Sequence, residues 1–327
     1  MIMKVALIFT GGTIGTVEND DGIRNLDNKN NSSILEYFRD TDVIVQKQPY
    51  LVLSENLNGG HISKLIECVN ERLSEDHDGI IITHGTDTIQ YTAAALSYAF
   101  GSNTIPIMVV SSNAPLDSED SNGGSNISAA IDFIRNDRGN GVFVPYRNYD
   151  GITYVHRGSR LLEQYEYDDT LSSIRRMPYG WYDQNGEYIV NEEYHEYEDG
   201  CEPIGMPKIG TASDGIAVVC PRAAAGRPVV PDDITDLILN TYHSGTLCTD
   251  CDRLGNLIKR CNSNNITVWV TGRDDSMIYE SMSDLKGIVY LPPMTEISAY
   301  VKIWMFRSAG RDMSDVMKPL GGDIVRL

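Results

Sequence analysis

The chain has 327 residues, 41 % of them hydrophobic, enough for a sizeable core and for two domains. Its formal net charge of −19 gives a surface that repels phosphate backbones and anionic lipid, which argues against nucleic acid and membrane as partners. Six cysteines, Cys68, Cys201, Cys220, Cys248, Cys251 and Cys261, are too sparse for a disulfide scaffold.

The N-terminus offers one lysine, Lys4, and the five-residue apolar run Val5–Phe9, too short for a signal-peptide core or a membrane span. A cytoplasmic location is the expectation. Short runs rich in Val, Ile and Leu read as strands at Val5–Thr10, Ile44–Leu53, Gly79–Thr83, Ile105–Ser111 and Val142–Pro145. Between them Gly59–Glu75, Thr88–Phe100 and Asn126–Arg135 have helical period. Strands alternating with helices indicate a parallel sheet covered on both faces. Residues 183–203, acidic and tyrosine-rich with weak periodicity, read as a solvated linker. Beyond them Ile216–Val219 and Ile266–Val270 read as strands, Asp232–Leu239 and Leu254–Cys261 as helices, Ile288–Tyr290 as a short strand and Ile297–Phe306 as the last helix. The predicted fold class is α/β. A larger, doubly wound, mainly parallel domain spans 1–182, an acidic linker 183–207, and a smaller flavodoxin-like parallel-sheet domain 208–327.

In a doubly wound sheet, ligands sit beyond the carboxyl ends of the strands. Two such ends carry unusual chemistry. The first strand runs into "TGGTIG" (10–15), where glycines permit a sharp turn and a close backbone approach. The motif is neither G-x-G-x-x-G nor a P-loop with its lysine, which disfavours nucleotide binding. The third strand runs into "THGTDT" (83–88), where Thr86, Asp87 and Thr88 open a helix. Their bland reading is a helix cap. Their functional reading is a hydroxyl beside a carboxylate and a positive helix end, suited to nucleophilic work on an amide. Cys248 and Cys251 with Cys261 are one thiol short of a structural zinc site, with His243 the only near fourth ligand; ordinary thiols, and no metal, are the expectation.

Taken together, "TGGTIG" and "THGTDT" resemble the signature pair of the bacterial L-asparaginase/glutaminase family, of the asparaginase I/II type. Looser similarity extends over 109–133, 144–173 and 287–305. The resemblance implies a two-domain α/β amidohydrolase that converts L-asparagine, or a related small amide, to the acid and ammonia without a cofactor. It also implies a homodimer or homotetramer with sites near subunit contacts. Carried over by position, Thr13 becomes the first nucleophile and Thr86 the second hydroxyl. Asp87 holds the substrate's α-amino group, and Ser54 and Glu55 bind its α-carboxylate and α-amino group. Backbone N–H groups around Gly12 and Thr86 form the oxyanion hole.

The pattern breaks at one charge. The family's lysine that activates the second threonine falls on Glu163, and no lysine occurs between Lys64 and Lys208. A carboxylate there is expected to face Asp87, with one of the two taking a raised pKa, and to serve as a general base in the lysine's place. Its bland reading is a surface residue in a remodelled loop. Ala114 stands for the family's basic residue and Asn122 for an aspartate. The loop after the first motif has no tyrosine before Tyr37, with Arg24 a candidate substitute. Two readings follow: an asparaginase-like amidohydrolase, or a catalytically silent homologue that binds an amino acid or amide as sensor or scaffold. A tRNA-dependent amidotransferase partner ranks third, since the motif begins at residue 10.

Overall fold

The computed structural model describes residues 2–18, 24–26, 30–207, 215–220, 230–231, 233–249, 252–272, 279–283 and 285–327. In chain order these form β1 (Lys4–Phe9), β2 (Thr16–Glu18), β3 (Arg24–Leu26), α1 (Asn30–Leu35), β4 (Val43–Lys47), α2 (Gly59–Leu73), β5 (Gly79–Thr83) and α3 (Ile89–Phe100). There follow β6 (Ile107–Val110), α4 (Gly123–Arg135), β7 (Val142–Arg147), β8 (Thr153–Arg157), β9 (Gly180–Tyr182) and β10 (Tyr188–Val190). The C-terminal part adds β11 (Ile216–Val219), β12 (Asp236–Asn240), α5 (Asp252–Ser263), β13 (Thr267–Thr271), α6 (Glu280–Ser283), β14 (Val289–Tyr290) and α7 (Glu296–Ser308).

Among the described residues, one eight-stranded sheet has the order β10-β9-β8-β7-β6-β5-β1-β4, and a four-stranded sheet the order β11-β12-β13-β14. From β4 through β7 the large sheet is parallel, while β7 to β10 pair antiparallel. The small sheet is parallel throughout. The fold is therefore mixed α/β, with a large parallel-dominated sheet and a second small parallel sheet. Val5 to Phe9 and Ile80 to Ile82 are buried, because helices cover both faces and a strand there has no side to give to water.

Two expectations are corrected. Residues 232–239, read as a helix, overlap β12: Leu237, Ile238 and Leu239 are all buried, and an apolar run this short has no period that separates strand from helix. Residues 183–203, read as a solvated linker, contribute β10 to the large sheet. Asp183, Glu196 and Asp199 among their carboxylates are partnered. Asp183 accepts from Asn185 N and Glu187 N, both at 2.9 Å, in the β9–β10 turn, and Glu196 meets Arg157 at 2.6 Å.

Helix α3 ties the layers together. Its buried alanines, Ala93, Ala94 and Ala95, and Tyr98 share one apolar core with Ile297, Val301 and Met305 of α7. From α7, Arg307 reaches the small sheet, donating through Nε at 2.8 Å and Nη2 at 2.9 Å to Asp236 at the start of β12. Lys302 on the same helix makes a 2.7 Å pair with Asp323, both side chains fully buried. The small sheet is thus clamped to the helix that backs the site edge.

Candidate active site

β1 and β5 run parallel with Phe9 opposite Thr83, so both glycine turns leave the sheet at one edge. Thr10 Oγ1 donates to Thr83 O at 2.5 Å, and Thr10 N donates to Thr83 Oγ1 at 3.3 Å, stitching the two exits together. Gly11 (φ 113°) then bridges to Val52, and Gly12 takes φ 79°, ψ 176°, a conformation that is essentially glycine's alone. A Cβ on Gly12 would collide with Gly85 N, and one on Gly85 with Ser54 Oγ. The Gly-Gly turn exists because two backbones and a serine must interlock there.

Thr13 and Thr86 follow these two glycines and flank the contact. Thr13 opens a 3-10 turn, and its carbonyl accepts from Thr16 Oγ1 at 2.7 Å. Ser54, buried at the start of a second 3-10 turn, donates from Oγ to Asp87 Oδ2 at 2.9 Å. Its carbonyl accepts from Thr88 Oγ1 at 3.1 Å. The bland reading of "THGTDT" as a helix cap is not what forms: Thr88, the N-cap residue of α3, makes no side-chain capping bond, and the Asp87 carboxylate is held by Ser54. Thr13 and Thr86 are half-buried, while Asp87 and Glu55 are exposed, so the edge opens to solvent.

His84 locks the second turn from beneath. It is buried, with Nδ1 2.8 Å from Gly85 O and Nε2 2.9 Å from Thr92 Oγ1. A carbonyl only accepts, so Nδ1 carries the proton and Nε2 accepts from the threonine hydroxyl. Burial pushes the imidazole pKa down to about 4, against the opposing pull of the Gly85 carbonyl and the Asp87 charge. The ring is neutral and holds the peptide preceding Thr86.

Glu163, expected to face Asp87, has Tyr91 and Glu296 beside it. Tyr91 Oη donates to Glu163 Oε2 at 3.3 Å, and Glu163 shares a cavity of about 610 Å³ with Thr88, Tyr91 and Glu296. The carboxyl pushed upward here is Glu296, by burial first and then by the Glu163 charge. Burial, then the same two carboxylates, raises the Tyr91 hydroxyl. Asn122 joins two loops: Oδ1 accepts from Asn113 N at 3.0 Å and Nδ2 donates to Arg147 O at 2.9 Å. Ala114 is buried, and its carbonyl accepts from Ser112 Oγ at 2.6 Å. Cys251 and the Arg24 side chain lie outside the described residues, Cys248 and His243 are exposed, and Cys261 is buried. Among the described residues there is no cluster of His, Cys, Asp and Glu able to hold a metal. No described helix is long and apolar enough to cross a membrane. Sequence reasoning missed His84, Tyr91 and Glu296. His84 sat inside the quoted motif and Tyr91 one turn beyond it, but the partner of each is distant in the chain or set by the fold.

An α/β chain whose two glycine turns lock a pair of threonine motifs at one parallel sheet edge is a chain of asparaginase architecture. Residues 4–193 match the family described as "Asparaginase, N-terminal", and the chain belongs to that family. It is 23 % identical to a glutamyl-tRNA(Gln) amidotransferase subunit of Methanobrevibacter smithii over 293 residues, covering 85 % of this chain and 65 % of that protein. It is 31 % identical to the corresponding amidotransferase subunit of Sulfurisphaera tokodaii over 181 residues, 54 % of this chain and 40 % of that one. The chain therefore spans less than two-thirds of the length of these relatives. In structure it is similar to the thermostable L-asparaginase of Thermococcus kodakarensis (TM-score 0.79, 20 % identity, 99 % of this chain and 100 % of that one). It is also similar to L-asparaginase I of Vibrio cholerae (TM-score 0.78, 19 % identity, 100 % of both chains). At such identities the likeness is one of fold. These two relatives in sequence are archaeal amidotransferase subunits, the class that the sequence reading ranked third.

Proposed function

We propose that this chain is an amidohydrolase that cleaves L-asparagine, or a related small amide, to the acid and ammonia. Thr13 Oγ attacks the amide carbon, forming a C–O bond while its proton passes to the neighbouring hydroxyl–carboxylate group. Backbone N–H groups around Gly12 and Thr86 hold the oxyanion. The C–N bond then breaks as the leaving nitrogen takes up the proton and departs as ammonia. Water, activated at Thr86, hydrolyses the threonyl ester and restores Thr13. Asp87, oriented by Ser54, holds the substrate's α-amino group together with Glu55, and Glu163 is the proton-accepting carboxylate where the family pattern has lysine. The protein works in the cytoplasm, as a homodimer or homotetramer. The observation that carries this reading is the interlock of Gly12, Gly85 and Ser54, with the 2.9 Å Ser54–Asp87 bond, at the edge where β1 and β5 end.

One observation favours a second reading, a silent homologue that binds an amino acid or amide: Glu163 accepts from Tyr91 and shares its cavity with a second carboxylate, Glu296. The amidotransferase relatives bring a third, activity within an amidotransferase complex. Ammonia release from asparagine, glutamine and a panel of small amides separates the first from the others. Turnover of asparagine that is lost in Thr13→Ala supports the proposal. Absence of ammonia from every amide, with retained binding of asparagine, replaces it with the silent reading.

A further inference from the structure

Two cavities meet at one pair of carboxylates. The larger, of about 610 Å³, is walled by Ile62, Tyr91, Tyr300 and Trp304, and Glu163 and Glu296 border it. The same two carboxylates border a second cavity, of about 390 Å³, on the side of Asn240 and Thr271. The rings are arranged in series. Tyr91 meets Tyr300 edge-on at 6.1 Å between centroids, and Tyr300 lies 6.3 Å from Trp304.

No lysine or arginine is among the described residues lining the larger cavity. Glu296 is half-buried on the first turn of α7, and Asn240 Nδ2 donates to it at 3.4 Å. Two carboxylates that repel each other in a partly desolvated space carry negative charge that no described lysine or arginine of the cavity offsets, and aromatic faces beside them favour a cation. We propose that the larger cavity binds a small aliphatic amine as its primary ammonium ion, with the charge between Glu163 and Glu296 and the alkyl chain against Tyr91, Tyr300 and Trp304. An ammonium has three N–H donors. The two carboxylates and Tyr91 Oη, whose own proton goes to Glu163, supply three acceptors. A guanidinium fits less well, because its planar fork seeks both oxygens of one carboxylate. A divalent metal fits worse, because hard cations demand six or more oxygen ligands, and aromatic rings supply none.

The test is calorimetric titration of the wild-type chain with n-butylammonium chloride and, in parallel, with neutral n-butanol at matched ionic strength. Saturable binding of the ammonium, at least about tenfold tighter than the alcohol, is expected, since both probes offer the same alkyl chain to the rings but only the ammonium brings a positive charge to the two carboxylates. Equal affinity for the two probes, or no binding of either, overturns the proposal without any variant having to fold. Glu163→Gln and Glu296→Gln are each expected to weaken the ammonium by about tenfold or more, while Glu119→Gln, an exposed change elsewhere, leaves it unaltered. Undiminished binding by both glutamine variants also overturns it. The readout is binding, not ammonia release, so this inference stands or falls separately from the amidohydrolase reading.

Discussion

Gly12→Ala is the change that best tests whether the interlocked turns carry the function. Gly12 sits at φ 79°, ψ 176°, and its added methyl would overlap Gly85 N, His84 C and Gly85 Cα. A side chain in that backbone region costs about 1–3 kcal/mol. Forcing one turn away from the other adds roughly 1–3 kcal/mol of overpacking, because the obstacle is backbone and not a movable side-chain tip. The sum, about 2–6 kcal/mol, lowers the melting temperature by roughly 4–24 °C at 2–4 °C per kcal/mol. Displacing Thr13 relative to Thr86 by about 1 Å costs on the order of 10²-fold in kcat/KM. Gly15→Ala is the matched control: it lies in the same 3-10 turn, has no positive φ, and its new methyl would meet nothing within 4 Å. That variant should be neutral, or more stable by about 0.4–1 kcal/mol through a less flexible unfolded chain. Calorimetric melting and ammonia release measured on the pair decide the matter. If Gly12→Ala melts and turns over as Gly15→Ala does, the interlock is not what organises this edge.

Glu163→Lys would set an ammonium between Tyr91 Oη and Glu296. Ammonia release from asparagine should rise by about 10²–10⁴-fold, the usual worth of acid–base assistance. A flat rate in that variant, with no effect of Glu163→Ala, would remove Glu163 from the proposed mechanism. Lys302→Met should cost about 3–5 kcal/mol in urea unfolding, because Asp323 is left buried and unpaired. Adding Asp323→Asn should restore much of that loss, and a single variant as stable as the parent would refute the reasoning. Stability should fall as pH drops from about 6.5 towards 4. In that window the unfolded chain protonates His84, while the folded ring, held down to about 4, stays neutral. The loss amounts to roughly 3 kcal/mol at 1.36 kcal/mol per pH unit. His84→Gln should remove its share of that slope and leave the share of His156, which burial pushes down to about 3; an unchanged slope would assign the effect to groups other than His84.

The alternating apolar runs were legible because a parallel strand covered on both faces must be apolar throughout. β5 spans Gly79–Thr83, as read from its β-branched run, and Gly11-Gly12 announced a backbone that only glycine adopts. Local chemistry also made Thr13, Thr86 and Asp87 candidates, since a hydroxyl or carboxylate just past a buried strand is near the sheet edge whatever the rest of the chain does. What the chain's own order could not decide depended on partners distant along it. Residues 236–240 became a strand because β11 and β13 were waiting on either side. The acidic stretch after residue 182 gained β10 because β9 offered it an edge. The close approach of Gly12 to Gly85 brings together residues 73 positions apart, and Glu163 found Tyr91, 72 positions away, where the sequence suggested Asp87. Local sequence determines what a strand end can offer. Packing determines which charge meets which hydroxyl, because burial and distance, not spacing along the chain, set the strength of a hydrogen bond or a repulsion.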